Sequence, residues 1–270
     1  VFGVAPATLD GRPLERAEVP ATLAGAHTLE IRMNGRWPAG EINRVENGFA
    51  PETPRAALRG DTLAWAPVAG AVRYAVYRDG RPAAQVREPR TTVVRDARVA
   101  EYQVLAVDSA GLESFLGEPV RVAPAAAVVD ARPRGAPLER EHAGFTGPGY
   151  ARLTRERNTV VEVPVTVPCA GTYLVEARYA NGSGPVNTDA RAAIRTLRVD
   201  GRDAGVLVMP QRGVDAWTDW GWSTAVRATL APGAHTLTLA YTQLDENMDR
   251  RVNTALLDHL RLTRLEGACR

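Results

Sequence analysis

The feature that most constrains the fold of this chain is a series of short runs in which apolar and polar residues alternate. They include residues 28–33, 74–78, 102–107, 160–167 and 235–241, each bounded by Gly, Pro, Asn or Asp. Because successive side chains of a strand point to opposite faces, this alternation predicts half-buried β-strands. No segment is a convincing amphipathic helix of three turns, so the sequence predicts an all-β protein.

Turn signals divide these strands into hairpins and pieces. Asp-Gly pairs at Asp10, Asp79 and Asp200 each adjoin an alternating run, which predicts hairpin turns. Proline-rich stretches at 48–54 and 123–137 have the composition of stiff linkers. We therefore predict tandem β-sandwiches, with pieces at 1–50, 51–124 and 125–270.

The first and third pieces share a repeated segment. Residues 21–32 read A-T-L-A-G-A-H-T-L-E-I-R, residues 228–240 read A-T-L-A-P-G-A-H-T-L-T-L-A, and a D-G-R turn precedes each. His27 and His235 occupy equivalent places, which indicates a structural role. Residues 1–50 thus look like the closing strands of an incomplete sandwich, and so small a β-piece is marginal alone. We expect the chain to be the C-terminal part of a longer protein.

Charge and cysteine content exclude several classes of function. The net charge is +2, every basic residue is Arg, and no block of five or six like charges suggests binding to nucleic acid or a membrane surface. The sequence contains no run of 18 apolar residues, so it predicts no transmembrane span. Cys169 and Cys269 have no nearby histidines to complete a zinc site, and are either one disulfide or two unrelated thiols.

Residues 213–223 read G-V-D-A-W-T-D-W-G-W-S and hold three of the five tryptophans. In an extended strand Trp220 and Trp222 would share one face, while Trp217 would lie on the other face or in the preceding loop. Flat rings edged by Asp and Arg suit the apolar face of a sugar. The alternative is that all three rings belong to the core of a sandwich.

The middle piece resembles a fibronectin type III domain. The residues that carry the resemblance are L-A-W-A-P-V-A-G-A-V-R-Y-A-V-Y-R-D-G (63–80) and E-Y-Q-V-L-A-V-D-S-A-G-L-E-S (101–114). Trp65 and Tyr74 are spaced to meet across a seven-stranded sandwich, and Tyr102 is placed for a corner hydrogen bond. The resemblance implies a spacer or docking module.

The last piece resembles a carbohydrate-binding module of the family 6 and family 35 kind, which implies a jelly-roll β-sandwich. The resemblance rests on L-E-R-E-H-A-G-F-T-G-P-G-Y-A-R-L (138–153), V-P-V-T-V-P-C-A-G-T-Y-L-V-E-A-R-Y-A-N-G (163–182), W-T-D-W-G-W-S (217–223) and L-L-D-H-L-R-L (256–262). It also implies a structural calcium ion held by Glu139, Glu141 and Asp258, since a hard cation takes several oxygen ligands. The alternative is that the two glutamates are solvent-exposed strand residues.

For sugar binding, the resemblance implies Trp217 as the platform and Trp220 as core. The sequence departs from the family pattern because Leu256 stands where an Asn is common, and residues 154–158 lack the opposing aromatic. Asn253 is the candidate replacement.

Polar loops supply further candidates that would converge at one end of the sandwich. Asn and Asp bind sugar hydroxyls, and the planar Arg fork suits a carboxylate. Each of these residues is also a common turn former, and the loops could instead pack on a neighbouring domain. The predicted sugar-binding set is Trp217, Trp222, Asn187, Asp189, Arg191, Arg212 and Asn253.

Catalysis within this chain is not expected, because there is no G-x-S-x-G motif and no histidine cluster. We predict a non-catalytic carbohydrate-binding accessory segment of a larger secreted or periplasmic enzyme, either a glycoside hydrolase or a polysaccharide lyase. Its expected partners are a polysaccharide or oligosaccharide and the catalytic domain of the parent protein. The alternative is a purely structural segment that packs against that catalytic domain.

Overall fold

The computed structural model of the protein consists almost entirely of antiparallel β-strands, which confirms the all-β prediction. It describes residues 7–15, 18–33, 48–96, 98–186, 189–266 and 269. Within these ranges the helical segments are single 3-10 turns at Ala125–Ala127 and Gln243–Asp245, and neither is long or apolar enough to cross a membrane. The chain divides into two units, Val1–Gly48 and Phe49–Arg270.

The described part of the first unit is a three-stranded sheet. Its strands are β1 (Thr8–Leu9), β2 (Arg12–Pro13) and β3 (Leu29–Glu30), in the order β2-β1-β3. Asp10 and Gly11 connect β1 to β2 with φ of 51° and 78°. Positive φ at both central residues is what a type I′ hairpin turn requires, so the first predicted hairpin is confirmed.

The second unit begins with a small β-sandwich, here called the first sandwich. Sheets β10-β9-β6-β7 and β4-β5-β8 both contribute to one core that includes Leu63, Trp65 and Tyr74. The Trp65 and Tyr74 rings meet edge to face at 5.2 Å, and the backbone N–H of Val94 donates to the Tyr102 hydroxyl at 3.0 Å. The fibronectin type III assignment itself stays a prediction. The strands are β4 (Ala57–Arg59), β5 (Thr62–Ala64), β6 (Ala71–Arg78), β7 (Arg81–Val86), β8 (Arg90–Thr92), β9 (Ala100–Asp108) and β10 (Val120–Val122).

A larger β-sandwich, here called the second sandwich, follows in the same unit. One sheet has the order β12-β13-β23-β15-β20, with β11 also paired to β23 and β21 to β15, and the other has the order β14-β22-β17-β18. The strands are β11 (Val128–Ala131), β12 (Leu138–Glu139), β13 (Tyr150–Leu153), β14 (Val160–Val167), β15 (Gly171–Ala180), β16 (Ser183–Gly184), β17 (Ala193–Val199), β18 (Arg202–Met209), β19 (Gly213–Val214), β20 (Gly221–Trp222), β21 (Val226–Leu230), β22 (Gly233–Ala240) and β23 (Ala255–Arg264).

Strand β14 shows how the sequence pattern builds this core. Its four alternate valines, Val161 to Val167, are buried between the sheets, whereas Val160 and Glu162 face solvent. Burying each apolar side chain contributes about 1.5–3 kcal/mol relative to leaving it exposed. The alternating pattern therefore fixes which face of β14 enters the sandwich.

The stretch predicted as a linker at 123–137 is partly a strand. Strand β11 pairs with β23, with Val128 opposite Thr263 and Ala131 opposite Leu260. Ala131 is buried in the core and Val129 packs against it. Strand β11 forms despite the prolines around it, because Val129 and Ala131 lie on the same face and pack in the core. The segment that joins the two sandwiches is therefore shorter than predicted.

A disulfide joins Cys169 to Cys269, with their Cα atoms 5.8 Å apart. Of the two alternatives left open by the sequence, the structure therefore has the cross-link. Cys169 precedes β15 and Cys269 follows β23, which are hydrogen-bonded neighbours in the same sheet. The division into pieces at 1–50, 51–124 and 125–270 stays a prediction.

Candidate functional site

The three clustered tryptophans occupy two different environments in the second sandwich. Trp217 and Trp220 pack on a small apolar cluster formed by Tyr150, Ala180 and Leu256. Trp217 also stacks on His142, with ring centroids 6.0 Å apart. The predicted platform residue is therefore half-buried beneath neighbouring side chains rather than standing free.

Glycines allow both rings to lie close to the backbone. A Cβ atom on Gly182 would come within 2.8 Å of the Trp217 ring, and one on Gly144 within 2.8 Å of the Trp220 ring. The Trp220 indole N–H donates to the carbonyl of Ala143 at 2.8 Å. Trp220 is thus anchored in one orientation, and its expected role as core stays a prediction.

Trp222 lies elsewhere, on the outer face of the larger sheet. Strand β20 places it opposite Arg178 of β15. The Arg261 guanidinium carbon lies 4.1 Å from the centroid of its ring, and the His259 ring meets it edge on at 5.6 Å. Arg261 lies on this outer face because Leu260 and Leu262, its neighbours on β23, both enter the core.

A cleft of about 570 Å³ lies between the first and second sandwiches, and Trp220 and Trp222 both line it. Clefts of roughly 300–1,000 Å³ are typical of sites for small ligands. The lining carries five arginines and three carboxylates, which are Arg55, Arg95, Arg121, Arg212, Arg261, Glu118, Glu176 and Asp219. The arrangement can therefore offer both aromatic faces and charged hydrogen-bonding groups to one ligand.

Arg212 is the central charge of this cleft. Its side chain is only 7% exposed and reaches Glu118 of the first sandwich at 2.7 Å and Asp219 at 3.3 Å. Burial lowers the pKa of Arg212, but the carboxylates of Glu118 and Asp219 outweigh it and hold the pKa above its usual range. Arg55 closes the chain of charges with a contact to Asp219 at 2.5 Å.

A second charge contact crosses the cleft nearby. Arg121 of β10 contacts Glu176 of β15, whose side chain is 4% exposed. Burial raises the pKa of Glu176, and the adjacent Arg121 opposes that rise. The charged contacts therefore both line the cleft and join the two sandwiches.

The structure separates the remaining predicted sugar-binding residues from this cleft. Asp189 and Arg191 lie together, with an ion pair at 3.3 Å, and Arg191 also reaches Asp249 at 3.6 Å. Asn187 lies outside the described residues. Of the predicted residues that the structure describes, Trp222 and Arg212 line the cleft.

Asn253 is buried and its amide is used within the protein. Its Oδ1 accepts a hydrogen bond from the backbone N–H of Ile194 at 3.1 Å, and its Nδ2 donates to the carbonyl of Asp245 at 2.8 Å. An amide engaged at both ends and 1% exposed is poorly placed to meet a ligand. It holds the loop before β23 against β17.

The carboxylates assigned to calcium by the sequence resemblance are held mainly by arginines. Glu139 contacts Arg152 at 2.7 Å and Arg157 at 2.6 Å, while Glu141 is largely exposed. In the part of the chain that the structure describes, no three His, Cys, Asp or Glu side chains are grouped as metal ligands. The structural calcium ion stays a prediction.

Asp258 is the most completely enclosed of these carboxylates. It is contacted by Arg178, it pairs with Arg132 at 3.0 Å, and Thr146 donates its backbone N–H at 3.0 Å. Burial raises the pKa of Asp258, but hydrogen bonds from His259, Thr146 and Arg178 together hold it well below its usual range. Asp258 therefore fastens the 140–149 loop to β23.

Sequence reasoning missed the half of the cleft that comes from the first sandwich. Arg55, Glu118 and Arg121 have no motif around them, and they meet Trp222 only through the packing of the sandwiches. Arg261 did carry a signal, since it is a charged residue between core leucines on the last strand.

No protein-family model matches this chain. Among curated proteins, it is 32% identical over 104 residues to a cycloisomaltooligosaccharide glucanotransferase of Niallia circulans, covering 38% of this chain and 10% of that protein. It is 37% identical over 101 residues to an exo-beta-D-glucosaminidase of Amycolatopsis orientalis, covering 36% of this chain and 9% of that protein. The chain thus spans about a tenth of the length of these relatives.

Among solved structures, one similar chain is a family 35 carbohydrate binding module from Clostridium thermocellum. It is 22% identical with a TM-score of 0.38, and the match covers 50% of this chain and 96% of that one.

Proposed function

We propose that this chain is a non-catalytic, carbohydrate-binding accessory segment of a larger polysaccharide-degrading enzyme, with its sugar site in the cleft between the two sandwiches. The observation that carries the proposal is the position of Trp222 in the wall of a cleft of about 570 Å³ that is also lined by charged side chains, of which Arg212 and Glu176 are buried. This cleft holds tryptophan, arginine and carboxylate groups together, and these groups can stack on a sugar ring and hydrogen-bond its hydroxyls.

The chemistry of the lining suits a polyhydroxylated ring. The apolar face of a sugar packs on an indole ring, and Trp222 and Trp220 both line this cleft, while hydroxyls exchange hydrogen bonds with groups such as Arg212 and Glu118. These polar groups are already oriented by their own ion pairs, which lowers the entropy lost on binding.

The relatives support an accessory role. One is named as a glucanotransferase and the other as a glucosaminidase, yet each is similar to this chain over only about a tenth of its own length. A segment shared by enzymes with different named activities fits a binding function better than a catalytic one. Their names make isomalto-oligosaccharides and glucosamine oligomers the first sugars to try.

An extracellular or periplasmic location for the parent enzyme is part of the proposal. The disulfide between Cys169 and Cys269 supports it, because disulfides persist mainly in oxidising compartments. In that setting the first sandwich would act as a spacer next to a catalytic domain.

A second candidate function is purely structural. Arg212, Arg55 and Arg121 each have a carboxylate partner, and all three of these contacts bridge the sandwiches. In this candidate function, the network of ion pairs holds the two sandwiches together and binds no sugar.

Affinity electrophoresis through gels that contain dextran, chitosan or an acidic polysaccharide distinguishes the two candidates. We expect at least one polysaccharide to retard the chain, Trp222→Ala to lose the retardation, and Trp217→Ala to keep it while melting at a lower temperature. The absence of retardation in every gel would contradict carbohydrate binding and favour the structural candidate. Retention of binding by Trp222→Ala would place the site outside the cleft.

A further inference from the structure

The Asp-Gly turn and its histidine are built in the same way in both units of the chain. In the first unit, His27 Nδ1 lies 2.7 Å from Asp10, and the backbone N–H of Thr28 donates to Asp10 at 2.8 Å. In the second unit, His235 Nδ1 lies 2.7 Å from Asp200, and the backbone N–H of Thr236 donates to Asp200 at 2.9 Å. The repeated sequence therefore folds into a repeated local structure.

The strand registers match as well. In the first unit Leu9 pairs with Leu29, and in the second Val199 pairs with Leu237 at the equivalent place. In each case the strand before the turn lies between the strand after the turn and the strand that follows the histidine. Strands β1, β2 and β3 thus correspond to β17, β18 and β22 of the second sandwich.

The two copies differ in what covers their apolar face. Leu237 and Leu239 are both 0% exposed, because the larger sheet of the second sandwich packs on them. Their counterparts in the first unit, Leu29 and Ile31, are 45% and 52% exposed. In the described part of the first unit, β1 is also the only strand paired with β3, whereas β22 has β14 on its other side.

From these comparisons we infer that the Leu29 and Ile31 face is the binding surface for the remaining strands of a second sandwich of the same kind. The partner is a β-sheet with apolar residues at alternate positions, packed on this face as the larger sheet packs on Leu237 and Leu239. Its nearest strand adds antiparallel to β3, as β14 adds to β22. Such a partner covers the exposed apolar side chains and pairs with the edge of β3 that no described strand occupies.

The partner strands are supplied by the same polypeptide, ahead of Val1. In the second sandwich, β14 of the smaller sheet and four of the seven strands of the larger sheet, β11, β12, β13 and β15, come before the β17–β18 hairpin in the sequence, while β20, β21 and β23 come after it. A 48-residue β-unit is also too small to bury a core unaided. The first unit therefore is the end of a domain and not a domain by itself.

Thiol labelling of single cysteines tests this inference under non-reducing conditions, with Cys169 and Cys269 paired. In the 270-residue chain, Ile31→Cys should react with a maleimide nearly as fast as a free cysteine, while Leu239→Cys should react at least about a hundredfold more slowly. In the parent polypeptide with its residues ahead of Val1, Ile31→Cys should become as protected as Leu239→Cys.

Three results would overturn the inference. The first is an Ile31→Cys variant that is no less reactive in the parent polypeptide, the second is a parent polypeptide that begins at Val1, and the third is a dimer of this chain, detected by light scattering, that Ile31→Glu dissociates. The last result would identify a second copy as the partner. Leu239→Cys is the matched control in the equivalent position, and none of these readouts depends on sugar binding.

Discussion

At the scale of single residues, Asp258 is a buried carboxylate whose negative charge is surrounded by cations and hydrogen-bond donors. Its carboxylate is fully buried and joins Arg132, Arg178 and the backbone of Thr146. A carboxylate in such a site stabilises the fold only while it is ionised, because its partners are cations and N–H donors.

Asp258→Asn should lower the free energy of unfolding by about 2–4 kcal/mol, since it leaves two arginines facing a neutral group in a buried site. Because the pKa of Asp258 is lowered in the folded protein, its contribution is complete above the ordinary aspartate pKa and is lost as pH falls below it. Urea unfolding at pH 7 and pH 3 measures both effects. Asp203→Asn is the control, because its pair with Arg198 is exposed and should matter by less than about 1 kcal/mol. Equal effects of the two substitutions would contradict this account.

At the scale of elements, the repeated turn shows how a short motif fixes a hairpin. Asp200 accepts from the backbone of Thr236 and contacts His235, whose Nε2 lies 2.8 Å from the carbonyl of Ala231. Hydrogen bonding to Asp200 raises the pKa of His235, and the bond with His235 lowers the pKa of Asp200.

An NMR titration should therefore find His235 protonated at a pH where a free histidine is neutral. Asp200→Asn should return the pKa of His235 toward its ordinary value and leave His27 unchanged, and Asp10→Asn should do the reverse. The raised pKa of His235 adds stability that is complete below the ordinary histidine pKa of about 6.5 and is lost as pH rises through the raised value, while the lowered pKa of Asp200 adds stability that is complete above the ordinary aspartate pKa of about 4 and is lost as pH falls through the lowered value. The pair thus stabilises the turn most between these two values. Unshifted histidines would contradict the observed geometry.

The elements also show which parts of the fold the sequence predicts. The valines of β14, the Asp-Gly turns and the repeated A-H-T-L segment are local patterns, and each forms the structure that it predicts. Strand β11 was predicted as part of a linker, because prolines flank it in the sequence and its pairing with the distant strand β23 leaves no local signal. Asn253 was predicted to meet a sugar, yet Ile194 and Asp245 engage its amide, which no local spacing reveals. The cleft is the least predictable feature, since Arg55 and Trp222 are distant in sequence and meet only through packing.

At the scale of the whole molecule, one covalent link ties the end of the chain to the second sandwich. The disulfide between Cys169 and Cys269 closes a loop with a sequence separation of 100 residues. Joining residues so far apart restricts the unfolded chain.

Replacing both cysteines by serine should lower the free energy of unfolding by about 2–5 kcal/mol without changing the fold. Urea unfolding of the variant and of the reduced wild-type chain measures the loss, and the two should agree. A stability that neither treatment alters would show that the cross-link does not constrain the unfolded state.

The central claim is that a carbohydrate occupies the cleft beside Trp222. The most direct measurement is an NMR titration of the five indole N–H signals, assigned through single Trp→Phe variants, with a sugar that retards the chain in gels. The account predicts that the Trp222 signal shifts and saturates with the sugar, while the Trp217 signal stays in place. A saturating shift of Trp217 with Trp222 unmoved would contradict the account and return the site to the loop end of the second sandwich.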